Sequence, residues 1–216
     1  MSTKTAAWIV VALIGLTFAS SIWLYPQLPE TLVSHWNAAG QPNGTLPKFW
    51  GLFLTPLIMA ACALLFFFLP YLDPLRKNIE TFRRQYNQFI VWFVIFLFYV
   101  HGLTLLWNTG ARFDMGRVIM PALGILFYLI GIMLRSTKRN WFIGIRTPWT
   151  LSSDAVWTKT HELGSTLFEA SGALTVFGAF FDSRYSIRFL LAPILTSALA
   201  VVIYSYVLYQ REQHLS

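Results

Sequence analysis

The sequence predicts an all-α, polytopic membrane protein with six transmembrane helices and both termini in the cytoplasm. Three observations predict it. Long, nearly charge-free apolar runs fill the chain, Lys and Arg crowd into alternate gaps between them, and the 216 residues are 56% hydrophobic but only 12% charged. A soluble domain carries about 25% charged residues. The 19 Phe, nine Trp and nine Tyr suit lipid-facing surfaces and interfacial belts. The net charge of +7 collects at the ends of apolar runs, where anionic headgroups attract it. It does not form a nucleic-acid footprint, so no direct nucleic-acid partner is expected. The bilayer is the expected partner, and a multi-pass location in the cell (plasma) membrane follows.

A span needs about 20 apolar residues to cross a ~30 Å hydrocarbon core. The first run lies in the 25 uncharged residues between Lys4 and Glu30 and gives a span over 6–25. It is too long for the apolar region of a signal peptide. The residues after it, Tyr25-Pro26-Gln27-Leu28-Pro29, offer no small-x-small cleavage site, so it reads as a retained span. Further spans are expected over 49–72, 85–111, 117–134, 163–181 and 189–210. They must be helices, because a bilayer leaves the backbone to satisfy its own hydrogen bonds. Small residues in 124–131 and 164–178 predict close helix packing in spans four and five. The single cysteine, Cys62, excludes an intrachain disulfide and any thiolate cluster.

Counting basic residues by side gives the orientation. Lys4, the gap after span two, the gap after span four and Arg211 together hold 11 Lys and Arg, against five on the other side. The positive-inside rule then places both termini in the cytoplasm. The chain divides into a two-span unit over 1–72 with an external loop at 26–50, a middle two-span unit over 73–134, and a segment over 135–216 holding the last two spans.

Two gaps exceed simple turns, and unstructured loops beyond about 12–15 residues are uncommon. The external one, 26–50, contains His35, Asn37, Gly40, Gly44 and Lys48. Asn43-Gly44 is a turn signal, and Gly40 and Gly44 permit positive φ. The loop is either an external recognition element or a cap that ties spans one and two together. The internal one contains Asn140, Gly144, Arg146, Thr147, Pro148, Trp149, Trp157, Lys159 and His161. Ser152 or Ser153 can cap a helix with Asp154 in its first turn. This predicts a short helix along the cytoplasmic interface that turns into span five, with Trp157, His161 and Gly164 on one face. Trp141, Trp149 and Trp157 read as interfacial anchors or as part of a recognition surface. Arg146 can hold a phosphate or a carboxylate.

These two gaps resemble the SdpI family of membrane proteins. The stretch 29–48, with His35, Asn37, Gly40, Gly44 and Lys48, is similar to the N-terminal domain of unknown function that accompanies the family. The stretch 140–161, with Gly144, Arg146, Thr147, Pro148, Trp149, Thr150, Trp157, Lys159 and His161, is similar to the family signature. The resemblance implies an immunity protein against a secreted toxin peptide, which binds outside. It also implies a sensor that draws a cytoplasmic transcriptional repressor to the membrane when toxin is present. These named residues would then carry ligand or partner binding.

Two polar residues lie inside expected spans: His101 and Glu169. Such groups face the bundle interior or water. They are either parts of a proton or cation path or neutral helix–helix hydrogen-bond partners, and their depths disfavour direct pairing. A small proton-coupled transporter is therefore the alternative function, although no internal repeat links residues 1–108 with 109–216. No catalytic residue, metal site or cofactor is expected. His161-Glu162 is followed by Gly164-Ser165 rather than a second His, no G-x-S-x-G occurs, and Cys62 has no basic neighbour.

Overall fold

The computed structural model describes residues 1–214, most of them helical. The helices are α1 (Thr3–Leu24), α2 (Lys48–Leu72), α3 (Arg76–Thr81), α4 (Arg83–Asn108), α5 (Met115–Ser136), α6 (Pro148–Ser152), α7 (Asp154–Gly178) and α8 (Ser183–Gln213). The strands β1 (Thr31–Trp36) and β2 (Pro42–Pro47) lie between α1 and α2. Five helices, α1, α2, α4, α5 and α8, are long and apolar enough to cross a membrane. Prolines interrupt α2 at Pro56 and Pro70, α5 at Pro121 and α8 at Pro193. Membrane helices tolerate them because neighbouring groups satisfy the freed carbonyls.

The expected span over 163–181 largely coincides with the second half of α7, which falls short of that apolar content. Its buried face explains why. Gly164, Ser165, Ser171, Gly172, Thr175 and Gly178 turn inward, so the helix hides small and polar groups. They are spent on close packing. A Cβ at Gly172 would lie 2.5 Å from the Gly124 carbonyl oxygen, and one at Gly131 would lie 2.8 Å from the Ser165 oxygen. On its other side Ser171 shares a hydrogen bond with Ser197 at 2.9 Å, and Ser186 donates to the Gly178 carbonyl at 2.8 Å. Hence α7 is wedged between α5 and α8, and the expected packing role of its small residues holds.

The other helices form a second group. Ala6 and Val10 of α1, Met59 of α2, and Ile90 and Val94 of α4 build its core, which extends through α3 to Met133 of α5 and Ile143. Contacts between α4 and α5 join the two groups.

One expectation needs correction. The fold is not all-α: the external loop contains an antiparallel hairpin in which Leu32 faces Leu46 and His35 faces Gly44. Its turn is Asn37–Gln41, and Asn43-Gly44 lies inside β2. Asn37 makes the turn, its Oδ1 accepting from the Ala39 and Gln41 amides at 2.9 and 3.0 Å, with Gly40 at φ +72°. The expected helix start does appear: the short α6 ends at Ser152, and Ser153 caps α7 with Asp154 in its first turn, the helix continuing unbroken to Gly178.

The hairpin is fixed to the bundle by two devices. Leu32 is fully buried against Gly51 of α2. Asn108, at the end of α4, acts as an extra strand residue: its Oδ1 accepts from the Val33 amide at 2.9 Å and its Nδ2 donates to the Val33 carbonyl at 3.0 Å. Asn108→Ala deletes both bonds at about 0.5–1.5 kcal/mol each. Limited proteolysis between residues 37 and 47 should accelerate in that variant while the helices stay protected.

Candidate functional site

Two constellations sit at opposite ends of the bundle. At the hairpin end, three connections converge on Asp114. It caps α5 by accepting from the Arg117 amide at 3.2 Å, it accepts a short hydrogen bond from Ser183 at the start of α8, and the turn glycine Gly40 packs against it. His35 Nδ1 donates to Asn43 Oδ1 at 2.5 Å, and Gly44 lies against the His35 Cβ. Lys48 pairs with Glu30 at 2.9 Å and sits over the Tyr25 ring. Trp36 packs edge-on against Trp107, which packs edge-on against Phe113.

Beneath the hairpin lies a cleft of about 540 Å³. The end of β1, α2, α4, α5 and α8 line it, chiefly with carbon: Trp50, Leu54, Ile119, Leu123 and Leu190 are among its walls. His35 and Asn37 reach its rim.

At the other end, the segment between α5 and α7 folds back onto α7. Asn140 is fully buried and organises the first turn. Its Oδ1 accepts from the Phe142 and Ile143 amides, and its Nδ2 donates to the Lys138 and Ile143 carbonyls at 2.8 Å. Gly144 takes φ +114° directly over the His161 ring, a conformation and a closeness that exclude a side chain. Thr147 and Thr150 form a reciprocal capping box with Pro148 in the first turn of α6. Thr147 also donates to Ser205 of α8 at 3.1 Å, and Trp149 packs on Tyr206.

Trp157 and His161 are the centre of this end. Their rings stack at 4.1 Å, and the Trp157 indole donates to the Thr137 carbonyl at 3.1 Å. The His161 tautomer follows from its partners. A carbonyl can only accept, so Nδ1–H donates to Trp157 O at 2.8 Å; an amide can only donate, so Nε2 accepts from Ile145 N–H at 2.9 Å. The imidazole is therefore neutral. It precedes the apolar part of α7, and burial pushes it down to about 4, against a smaller upward pull from the Trp157 carbonyl. In the unfolded chain it titrates near 6.5. The unfolded state then binds a proton that the folded state refuses, so stability falls as pH drops from about 6.5 towards about 4. Thermal unfolding across that range should show this slope, and a His161→Asn variant should flatten it.

Of the residues expected to bind partners here, Asn140, Thr147, Trp157 and His161 are buried, whereas Arg146, Pro148 and Lys159 are exposed. Trp157, only 1% exposed, is a core residue and not an interfacial anchor. Trp141 is exposed, and its carbonyl accepts from Arg146 at 2.9 Å.

The two polar residues expected inside spans, His101 in α4 and Glu169 in α7, lie apart. His101 is buried, with Nε2 3.2 Å from Ser21 Oγ of α1. Ser21 donates its own proton to the Leu52 carbonyl at 2.8 Å, so the imidazole Nε2–H is the donor between them. Glu169 pairs with Arg135 at 3.0 Å and accepts from Ser165 at 2.9 Å. The sequence reading missed Arg135 as its partner. It also missed Asp73, a buried carboxylate whose Oδ2 accepts from the Trp141 amide at 2.8 Å and whose Oδ1 accepts from the Leu75 amide at 2.6 Å. Their signal was position, each being the first charge beyond an apolar run. Among the described residues, no three His, Cys, Asp or Glu side chains gather closely enough to hold a metal ion.

Comparison with known proteins meets this geometry at both ends. A domain of unknown function, DUF1648, matches residues 12–60, which hold the hairpin. The SdpI/YfhL protein family matches residues 136–207, from the end of α5 into α8. The immunity protein SdpI of Bacillus subtilis (strain 168) is 26% identical over 203 residues, covering 94% of this chain and 95% of that protein. No solved structure matches the chain.

Proposed function

We propose that the chain is a membrane protein of the SdpI type that confers immunity to a secreted toxin peptide without catalysing a reaction. The observation that carries this reading is the end-to-end similarity to an immunity protein: both matched regions coincide with folded constellations, one at each end of the bundle. In this reading six helices cross the plasma membrane, with α7 shielded by α5 and α8, and both termini are cytoplasmic. The hairpin end faces outward and meets the toxin. The signature loop faces inward, and its exposed Arg146, Pro148 and Lys159 form the surface open to a cytoplasmic repressor. The units 1–72, 73–134 and 135–216 carry these roles in order: reception, spacing and signalling. The buried signature residues act as framework for that surface.

Survival tests this. Bacillus subtilis lacking its own SdpI is exposed to its secreted killing factor with and without this chain. Survival with the chain and death without it supports immunity. Equal death, with the chain present in the membrane at normal abundance, overturns it.

A further inference from the structure

The basic residues on the hairpin side of the bundle are Lys48, Arg112, Arg117, Arg184 and Arg188. Four of them have polar partners in the fold. Lys48 pairs with Glu30, Arg184 with Asp182 at 3.0 Å and Arg117 with Asp114 at 3.7 Å, and Arg112 donates to the Trp107 and Ala111 carbonyls. Arg188, in the second turn of α8, is the exception. Among the described residues it makes no hydrogen bond or ion pair, and its exposed guanidinium only lies over the Tyr185 ring, 5.3 Å from the centroid. The acids at this end, Glu30, Asp114 and Asp182, are those already paired, so the fold offers Arg188 no anion.

Arg188 stands at the hairpin-side end of a groove of about 600 Å³ between α7 and α8. Leu167 and Leu174 wall it from α7, Phe189 and Pro193 from α8, and the short side chains of Ala170 and Ala192 leave the space between. From Arg188 to Thr196 the helix rises ~12 Å, close to half of a ~30 Å hydrocarbon core. The hydroxyls in the groove are satisfied by the protein. Ser171 donates to the Leu167 carbonyl at 2.7 Å and shares a bond with Ser197, and Thr196 donates to the Ala192 carbonyl at 2.7 Å. The groove therefore calls for carbon along its length and an anion at one end. Water matches the cation but not the carbon. A second copy of this chain matches the carbon, but its own acids at this level are paired. An anionic phospholipid matches both, and the arginine fork suits its phosphate.

We infer that the α7–α8 groove binds an anionic phospholipid of the hairpin-side leaflet, with its phosphate on Arg188 and an acyl chain along Leu174, Phe189 and Pro193. The chain supplies part of the apolar cover that α7, rich in small and polar residues, lacks. The site requires α7 and α8 to lie in the bilayer; it does not require that the protein confer immunity.

The test uses the full chain purified in detergent and titrated with dioleoylphosphatidylglycerol or dioleoylphosphatidylcholine, bound lipid being read by native mass spectrometry. Phosphatidylglycerol should bind about tenfold more tightly than phosphatidylcholine, and Arg188→Gln should weaken it about tenfold, the effect of one lost interaction. Arg188→Lys, which keeps the charge, should retain most of the binding. Ala192→Phe fills the groove, leaves Arg188 in place and should weaken both lipids. Both positions are exposed, so the lipid-free variants should melt with the parent. Glycerol phosphate, which has the anion but no acyl chain, should not compete. If either Arg188→Gln or Ala192→Phe binds phosphatidylglycerol like the parent, the lipid is ordinary boundary lipid and the site is overturned. Displacement by glycerol phosphate would assign Arg188 to a free anion and overturn it too. A dimer that replaces the lipid adduct and is lost in Arg188→Gln would give the groove to a second copy. Survival against the killing factor is read separately, so failure here leaves the immunity reading standing.

Discussion

Trp157→Ala should cost about 3–5 kcal/mol of stability, the range for removing a buried Trp. The purified chain in detergent should melt at a correspondingly lower temperature. Three losses combine. The cavity left behind is the largest, because Trp157 is the biggest fully buried side chain in the structure. The Thr137 carbonyl loses its donor, and the His161 ring loses the face it stacks on. Trp157→Phe separates these terms. It keeps an apolar ring and strands only the carbonyl, at roughly 1–3 kcal/mol for an unsatisfied buried group. If Trp157→Ala melts with the parent, the signature loop is not a framework, and its residues would have to act on a partner instead.

Gly172→Ala should be nearly as damaging, although it adds one carbon. Its Cβ would lie 2.5 Å from the Gly124 carbonyl oxygen and 2.6 Å from the Tyr128 amide nitrogen. Both are backbone atoms of α5 and cannot swing aside, so the helices must separate. Overpacking of this kind costs about 1–3 kcal/mol. Gly15→Ala is the control. Nothing lies within 4 Å of its new Cβ. There the better helix propensity of Ala should stabilise the chain by up to about 1 kcal/mol. Melting temperatures moving in opposite directions for the two substitutions would separate the α5–α7 crossing from helix propensity. A neutral Gly172→Ala would mean that α5 and α7 cross with more room than a 2.5 Å approach to the Gly124 carbonyl allows.

The apolar runs were readable because the bilayer imposes length and composition on each helix, and five of the six expected spans satisfy both criteria. The sixth, α7, was legible only through its surroundings, since its inward face is deliberately small and polar. The hairpin was missed for a different reason. Asn43-Gly44 carries the strongest turn composition, yet Gly44 is a strand residue that gives the His35 side chain room. The turn instead sits at Asn37, where side-chain capping and Gly40 supply the geometry. In the signature segment the identities were legible but not their roles. Gly144, Trp157 and His161 look like a recognition motif in one dimension; in three dimensions each spends its chemistry on another. Long-range partners such as Asp73 with Trp141, or Asn108 with Val33, leave no local pattern because their spacing is set by the packing of whole helices.

We propose that the two constellations lie on opposite sides of one membrane, linked by six crossings. Cysteine accessibility tests it in a Cys62→Ala background, with single cysteines introduced by Gln41→Cys in the hairpin turn, Lys138→Cys in the signature loop and Arg184→Cys at the start of α8. All three positions are exposed. A membrane-impermeant maleimide should label the first and third in intact cells, and the second only after lysis. Labelling at Arg184→Cys that also requires lysis would show that α7 does not cross. Labelling of Gln41→Cys and Lys138→Cys from the same side would contradict the two-sided arrangement altogether.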